Sequence, residues 1–240
     1  MADGIYTALS GAVAEMNRIE VNSHNLANVS TPGFKQFRLA LEAVGGASQA
    51  KELSFAAMAP PQMDLRAGPL RETGNPLDVA LDEGVYMAVA DGGKTAYSRG
   101  GALMLRPDGT LVTNEGMPVM GEGGKIVVAP GASNITVAPD GTVQADDAPA
   151  GRLKLVEFGN QQALQQGQGQ TFIDPGGAGA RPAARAQLVR AGYREEPNME
   201  AIRGMTDLIA AHRSYDAALK AVETFSQVNR RAARDIQARG

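Results

Sequence analysis

The chain has 240 residues, 23 Lys and Arg against 26 Asp and Glu for a formal net charge of -3, 43% hydrophobic residues and no cysteine. That length holds one or two domains with a sizeable core, and the charge balance argues against a nucleic-acid binder, whose phosphate contacts need a concentrated basic excess. The missing cysteine removes disulfides, thiolate nucleophiles and cysteine-ligated zinc, and permits folding in either redox compartment.

No apolar run of signal-peptide length precedes Arg18, the first basic residue, and no stretch approaches the roughly 20 apolar residues of a membrane-spanning helix. The expectation is a chain that stays in the cytoplasm or is exported without a cleaved signal.

Gly and Pro divide the sequence. Residues 41–197 hold 24 of the 29 Gly and 12 of the 13 Pro, leaving both ends free to be helical. At the N-terminal end Ile5, Leu9, Val13, Met16 and Ile19 step by four, four, three and three, the spacing of one helix face. Asp3 is the expected N-cap, and the helix should end near Asn28, before the turn signature Ser30-Thr31-Pro32-Gly33.

The middle reads as antiparallel β. Leu77, Val79 and Leu81 alternate with Asp78, Ala80 and Asp82, which predicts a half-buried strand. Val85–Ala90 leads into Asp91-Gly92-Gly93, a hairpin signal. Pro107-Asp108-Gly109-Thr110 and Pro139-Asp140-Gly141-Thr142 are two copies of one turn, in which Pro presets φ and Gly supplies a positive φ. Short strands are expected over Lys125–Val128, Asn134–Val137 and Arg152–Phe158, and loops over Ala43–Gln62 and Gln161–Ala184.

After Pro197-Asn198 the apolar pattern returns at Met199, Ile202, Met205, Leu208, Ile209, His212, Tyr215, Leu219, Val222, Phe225, Val228, Ala232 and Ile236. About 38 residues of this spacing predict a helix near 57 Å long, at ~1.5 Å per residue. Its apolar stripe should pair with the N-terminal one, and the surplus length calls for packing against other subunits. The fold class is therefore α+β. Paired, coiled-coil-like terminal helices (1–40 with 198–240) flank a connecting segment (41–74) and a central antiparallel β domain (75–197).

The chemistry-bearing residues point away from catalysis. His24 and His212 sit on the two helices without a nearby acidic constellation, so packing is favoured over metal binding. A Gly-x-Ser-x-Gly elbow and a Gly-Lys-Ser/Thr phosphate loop are both missing. Asp82-Glu83 and Asp146-Asp147 read as solvated loop charge, and Arg230, Arg231, Arg234 and Arg239 as cations complementing a helix C-terminus. No catalytic, cofactor or metal residue is assigned. Asn22, Asn25 and Asn28 recur every third residue, which places their amides on one helix face as a recognition surface or a helix stop.

Asn25-Leu26-Ala27-Asn28 through Thr31 and Gly33-Phe34-Lys35 resemble the signature of the bacterial flagellar rod and hook axial proteins. A second block, Thr73-Gly74-Asn75-Pro76-Leu77-Asp78-Val79-Ala80-Leu81 through Gly116-Met117-Pro118-Val119, is similar to that family's central β domain. A third, Asn198-Met199-Glu200 and His212-Arg213-Ser214-Tyr215-Asp216, resembles its C-terminal helix. Thr73-Gly74-Asn75-Pro76 and Asn229-Arg230-Arg231-Ala232-Ala233 look most like proximal-rod members, with distal-rod and hook-type members as the alternative. Glu83-Gly84-Val85-Tyr86-Met87 and Glu195-Glu196-Pro197-Asn198-Met199 depart from the usual pattern.

The resemblance implies a non-enzymatic subunit whose helices form an inner tube around an export channel and which transmits torque to the hook. Its partners would be other axial proteins, copies of itself and the flagellar export apparatus, and its place the periplasmic rod of the basal body. The expected assembly interface is Ile5, Leu9, Val13, Met16, Asn22, Asn25, Asn28, Met205, Leu208, His212, Tyr215, Leu219 and Val222. In particular, Ile5, Leu9, Val13 and Met16 should meet Met205, Leu208, Tyr215 and Leu219, within one subunit or between neighbours. A carbohydrate-active module lacks its acid pair and aromatics here. A soluble adaptor would use the same helices on a single partner.

Overall fold

The computed structural model describes residues 2–39, 41–43, 56–58, 60–132, 134–146, 148–184 and 187–237. The chain forms two compact units: a helical unit of Met1–Val29, Gln36–Asp64 and Met199–Gly240, and a β unit of Ser30–Lys35 and Leu65–Asn198.

In the helical unit, α1 spans Ala2–Ala27 and α2 spans Ala201–Gln237, 26 and 37 residues long. Asp3 lies inside the first turn because the helix already begins at Ala2; its side chain, like those of Ala232 and Ile236, falls outside the described residues. The α1 stop is made by asparagine. Asn28 donates its backbone N–H to the Asn25 carbonyl at 3.0 Å and its side-chain amide to the His24 carbonyl at 2.9 Å, filling acceptors that the helix end leaves open. Beyond the turn, Phe37–Arg38 pairs with Gln62–Met63 and Leu41–Ala43 with Ala56–Met58. The loop expected over 43–62 thus contains strand, while 44–55 and 59 lie outside the described residues.

α1 and α2 pack antiparallel. A Cβ placed on Gly4 would sit 3.1 Å from the Phe225 ring, and one on Gly204 would sit 3.7 Å from Leu26, so the start of α1 lies beside the later turns of α2.

The β unit holds one core built from small antiparallel sheets. A six-stranded sheet runs Gln165–Gln166, Thr171–Ile173, Lys94–Ser98, Val85–Asp91, Leu155–Phe158, Ala180–Pro182, and a four-stranded sheet runs Leu111–Thr113, Gly100–Leu105, Asp78–Leu81, Val189–Ala191. Their inner faces, with Ile135–Val137 and Thr142–Ala145 of a third sheet, bury Val79, Val85, Met87, Val89, Leu111, Val119, Val143 and Leu153 in a single cluster. Val85–Asp91 and Lys94–Ser98 form the hairpin that Asp91-Gly92-Gly93 predicts. Both Pro-Asp-Gly-Thr turns close alike. Asp108 and Asp140 each accept the backbone N–H two residues on at 3.0 Å, which with the threonine side chain holds the carboxyl below the usual aspartate range. A Cβ on Gly109 would stand 2.3 Å from the Val128 carbonyl oxygen, so only glycine fits there.

Four expectations need correction. Asp78–Leu81 is buried throughout rather than on alternate residues: Val79 and Leu81 join the core cluster, while Arg194 Nη2 at 3.0 Å and Asn75 Nδ2 at 3.3 Å compensate the buried Asp78. Arg152–Phe158 is two strands, Ala148–Arg152 and Leu155–Phe158, in different sheets, and the strand expected over Lys125–Val128 is reduced to the pair Gly124–Lys125. Gln161–Ala184 is no simple loop: Phe172 is buried, its ring meeting Tyr86 edge-on at 5.4 Å, and this anchors Thr171–Ile173 as a strand.

Candidate assembly interface

Each terminal helix carries two rows at coiled-coil spacing, built mostly of apolar or small residues. On α1 the first row is Ile5, Ala8, Ala12, Glu15, Ile19, Asn22 and Leu26, all buried or half-buried. On α2 it is Ala201, Gly204, Leu208, Ala211, Tyr215, Ala218 and Val222, again buried or half-buried. Ala12 and Ala211 are sealed, at 2% and 0% exposure. Small residues let the backbones approach closely, so this first row is the seam within the chain.

One residue further on, a second row faces outward. It comprises Tyr6, Leu9, Val13 and Met16 on α1, and Ile202, Met205, Ile209, His212, Asp216 and Leu219 on α2. Met16 is 50% and Ile202 80% exposed. Large apolar side chains aligned over this length of surface make this row the candidate interaction face.

The expected interface residues therefore divide between two faces. Ile5, Asn22, Leu208, Tyr215 and Val222 lie on the inner seam, and Leu9, Val13, Met16, Met205, His212 and Leu219 on the outward row. The antiparallel register sets Tyr215 and Leu219 level with Leu9 and Val13, whereas Met205 and Leu208 lie level with the last turns of α1. His24 and His212 stay about two turns apart along the axis, and His24 instead meets the Phe37 ring edge-on at 5.5 Å. Asn25 is buried, and its amide closes a two-way pair with Phe37: it accepts the Phe37 N–H and donates to the Phe37 carbonyl, both at 2.8 Å. Asn25 and Asn28 thus work as the helix stop and re-entry.

A cluster that sequence reasoning missed lies in the β unit. Lys35, Arg99 and Glu195 are each about 3% exposed. Lys35 Nζ donates to Glu195 Oε1 and, at 2.8 Å, to the Arg66 carbonyl. Arg99 donates to Glu195 Oε2 at 3.3 Å and to the Asp82 and Val85 carbonyls at 3.0 and 2.7 Å. The Gly68 N–H also reaches Glu195 Oε1, at 2.8 Å, and a Cβ at Gly68 would collide with the Glu196 carbonyl oxygen at 2.0 Å. The Arg99 guanidinium lies 5.3 Å from the Tyr86 ring centre, and burial pushes the Tyr86 phenol up to about 12. With 160 residues between Lys35 and Glu195, a local pattern has no way to announce the pair.

Among the described residues, groups of three or more His, Asp or Glu able to hold a metal are absent, and no helix is long and apolar enough to cross a membrane.

Comparison with known proteins agrees with this architecture. Family models match at three places: a flagella basal body rod protein over residues 5–35, the flagellar hook protein FlgE/F/G D1 domain over 83–145, and the flagellar basal body rod FlgEFG protein C-terminal region over 190–235. The chain is 36% identical to the flagellar basal-body rod protein FlgF of Salmonella typhimurium across 97% of both sequences. It is 36% identical to FlgF of Escherichia coli, covering 93% of this chain and 94% of that one. To the rod protein FlgG of Bacillus subtilis it is 25% identical, over 95% and 97%. The α1 turn, residues 83–145 and 190–198 of the β unit and most of α2 fall in matched regions, and the chain belongs to the flagellar basal-body rod protein family.

Proposed function

We propose that the chain is a structural subunit of the proximal flagellar rod, assembling helically around the export channel with other axial proteins and copies of itself and transmitting torque to the hook. The observation that carries this reading is the outward row on both helices, with Leu9, Val13, Met16, Met205, Ile209 and Leu219 exposed or nearly half-exposed. Two different surfaces meeting in a head-to-tail sense generate an open helix when the rotation between subunits does not close, and a rod requires such a helix. In this reading Leu9, Val13, Met16, Met205, His212 and Leu219 face neighbouring subunits, while Ile5, Leu208, Tyr215 and Val222 stiffen the hairpin that presents them.

Export through the flagellar apparatus without a cleaved signal, and residence in the periplasmic part of the basal body, follow from the same reading. The role is non-enzymatic. A place in the distal rod is the second reading, favoured by the 25% identity to FlgG; the 36% identity to two FlgF proteins supports the proximal one.

Met205→Asp and Leu219→Asp in the source cell test the proposal, because a charge on the outward row costs little in the free subunit and several kcal/mol in a closed interface. The expected result is loss of intact rods and of motility, with a normally folded β unit in the purified variants. Swimming cells with complete rods would refute the interface.

A further inference from the structure

We infer that α2 carries a charge code that sets the stagger between copies of this chain: Arg230 and Arg234, on the part of α2 that runs past α1, meet Asp216 and Glu223 of a second copy displaced along the helix axis. In the proposed rod role, on which this stagger rests, the outward face of α2 meets neighbouring subunits.

α2 outlasts its helical partner. Gly4 faces the Phe225 ring and α1 begins at Ala2, so residues 228–237 extend beyond α1 by roughly 15 Å, at ~1.5 Å per residue. The helix dipole does not account for the arginines there. It acts within the last turn, which holds Arg234, whereas Arg230 and Arg231 lie seven and six residues before Gln237.

Arg230 and Arg234 instead continue the outward row. From His212 the row steps by fours and threes through Asp216, Leu219, Glu223 and Ser226 to Arg230, and one more step of four reaches Arg234. Arg213, Lys220 and Arg231 stand beside it, each one residue further on. The row is thus acidic in its middle and basic at its end. Asp216, Glu223, Arg230 and Arg234 are all exposed, and among the described residues none of the four has an ion-pair partner within the chain. One copy cannot pair them. Arg230 is seven residues from Glu223, about 10 Å along the axis, beyond the reach of the i,i+3 and i,i+4 pairs of a helix.

Two parallel copies in register would set like charges side by side. A displacement of roughly 16–21 Å brings Arg234 level with Glu223, eleven residues back, and Arg230 level with Asp216, fourteen back. Opposite charges then face each other at both places, which fixes the register and excludes the unshifted one. Arginine suits this contact, because its planar fork binds a carboxylate through two hydrogen bonds. The basic end of one copy on the acidic middle of the next is a contact between two different surfaces, the kind that can propagate along a rod.

Charge reversal in the source cell tests the stagger. Arg230→Glu/Arg234→Glu should lower the number of complete rods about tenfold or more, and Asp216→Arg/Glu223→Arg should do the same. All four substitutions together should restore rods to within about threefold of wild type. A weakened helix end would not be repaired from two turns away, so the restoration separates contact from folding. Undiminished rods in either double variant would overturn the inference. A loss that the fourfold exchange fails to restore would also overturn it, by assigning the arginines to a different acidic partner, protein or lipid. Met205→Asp reads the rod role separately. Rods lost there but complete in the arginine variant would reject the stagger alone, whereas complete rods in Met205→Asp would reject the role on which it rests.

Discussion

The helical unit and the β unit solve the problem of apolar surface in opposite ways. The β unit turns it inward: Val79, Val85, Met87, Val89, Leu111 and Leu153 are at 1% exposure or less within one cluster. The helical unit spends alanine and glycine on its own seam and leaves Tyr6, Val13, Met16, Ile202 and Ile209 in solvent, each 47% exposed or more. One unit gathers its large apolar side chains into a core; the other leaves a second row of them in solvent. In the proposed function, that second row is the part that assembles.

Substitution by charge breaks the comparison most sharply. Val79→Asp should cost the β unit on the order of 4 kcal/mol or more, since the strand offers no partner for a second carboxylate beside Asp78. Ile209→Asp, on an equally apolar residue of the helical unit, should change monomer stability by no more than about 1 kcal/mol. Urea unfolding followed by circular dichroism measures both, and equal losses would erase the distinction.

A pH titration sharpens it from the β side. The Tyr86 phenol is raised from 10.0 to about 12 in the folded chain, mainly by burial, so the folded state holds a proton that the unfolded chain releases earlier. Stability from this group is complete below pH 10 and drains away as pH rises toward 12, by at most roughly 2–3 kcal/mol. Tyr86→Phe should flatten that alkaline limb in thermal melts, and an unchanged slope would reject the assignment.

Enlarging the inner seam should be costly although the outer row tolerates change. Ala211→Leu forces the helices apart for roughly 1–3 kcal/mol, read as a lower melting temperature of the helical signal. Asn25→Ala strips two hydrogen bonds from Phe37 and should cost roughly 1–2 kcal/mol, seen as faster exchange of the Phe37 amide.

Both helices were legible in the sequence because a period of three and four survives over many turns, and the hairpin and the two Pro-Asp-Gly-Thr turns because their residues dictate φ locally. What periodicity blurred was the choice between adjacent rows. Large residues such as Leu9 and Met16 dominate an apolar stripe, yet the seam follows Ala8, Ala12 and Ala211, whose small size is the reason the backbones can meet. The interior of the β unit was less legible. Asp78 reads as a solvent-facing residue until Arg194 is folded onto it, and Lys35, Arg99 and Glu195 look like ordinary surface charges until long-range pairing brings them together.

The central claim is that the outward rows are buried in the assembled rod. Cryo-electron microscopy of basal bodies from the source cell, at side-chain resolution, measures it directly. The account predicts Leu9, Val13 and Met16 of one subunit, and Met205, Ile209 and Leu219, in contact with neighbouring subunits of the proximal rod. Density placing those side chains against solvent, with subunits joined through the β unit alone, would contradict it.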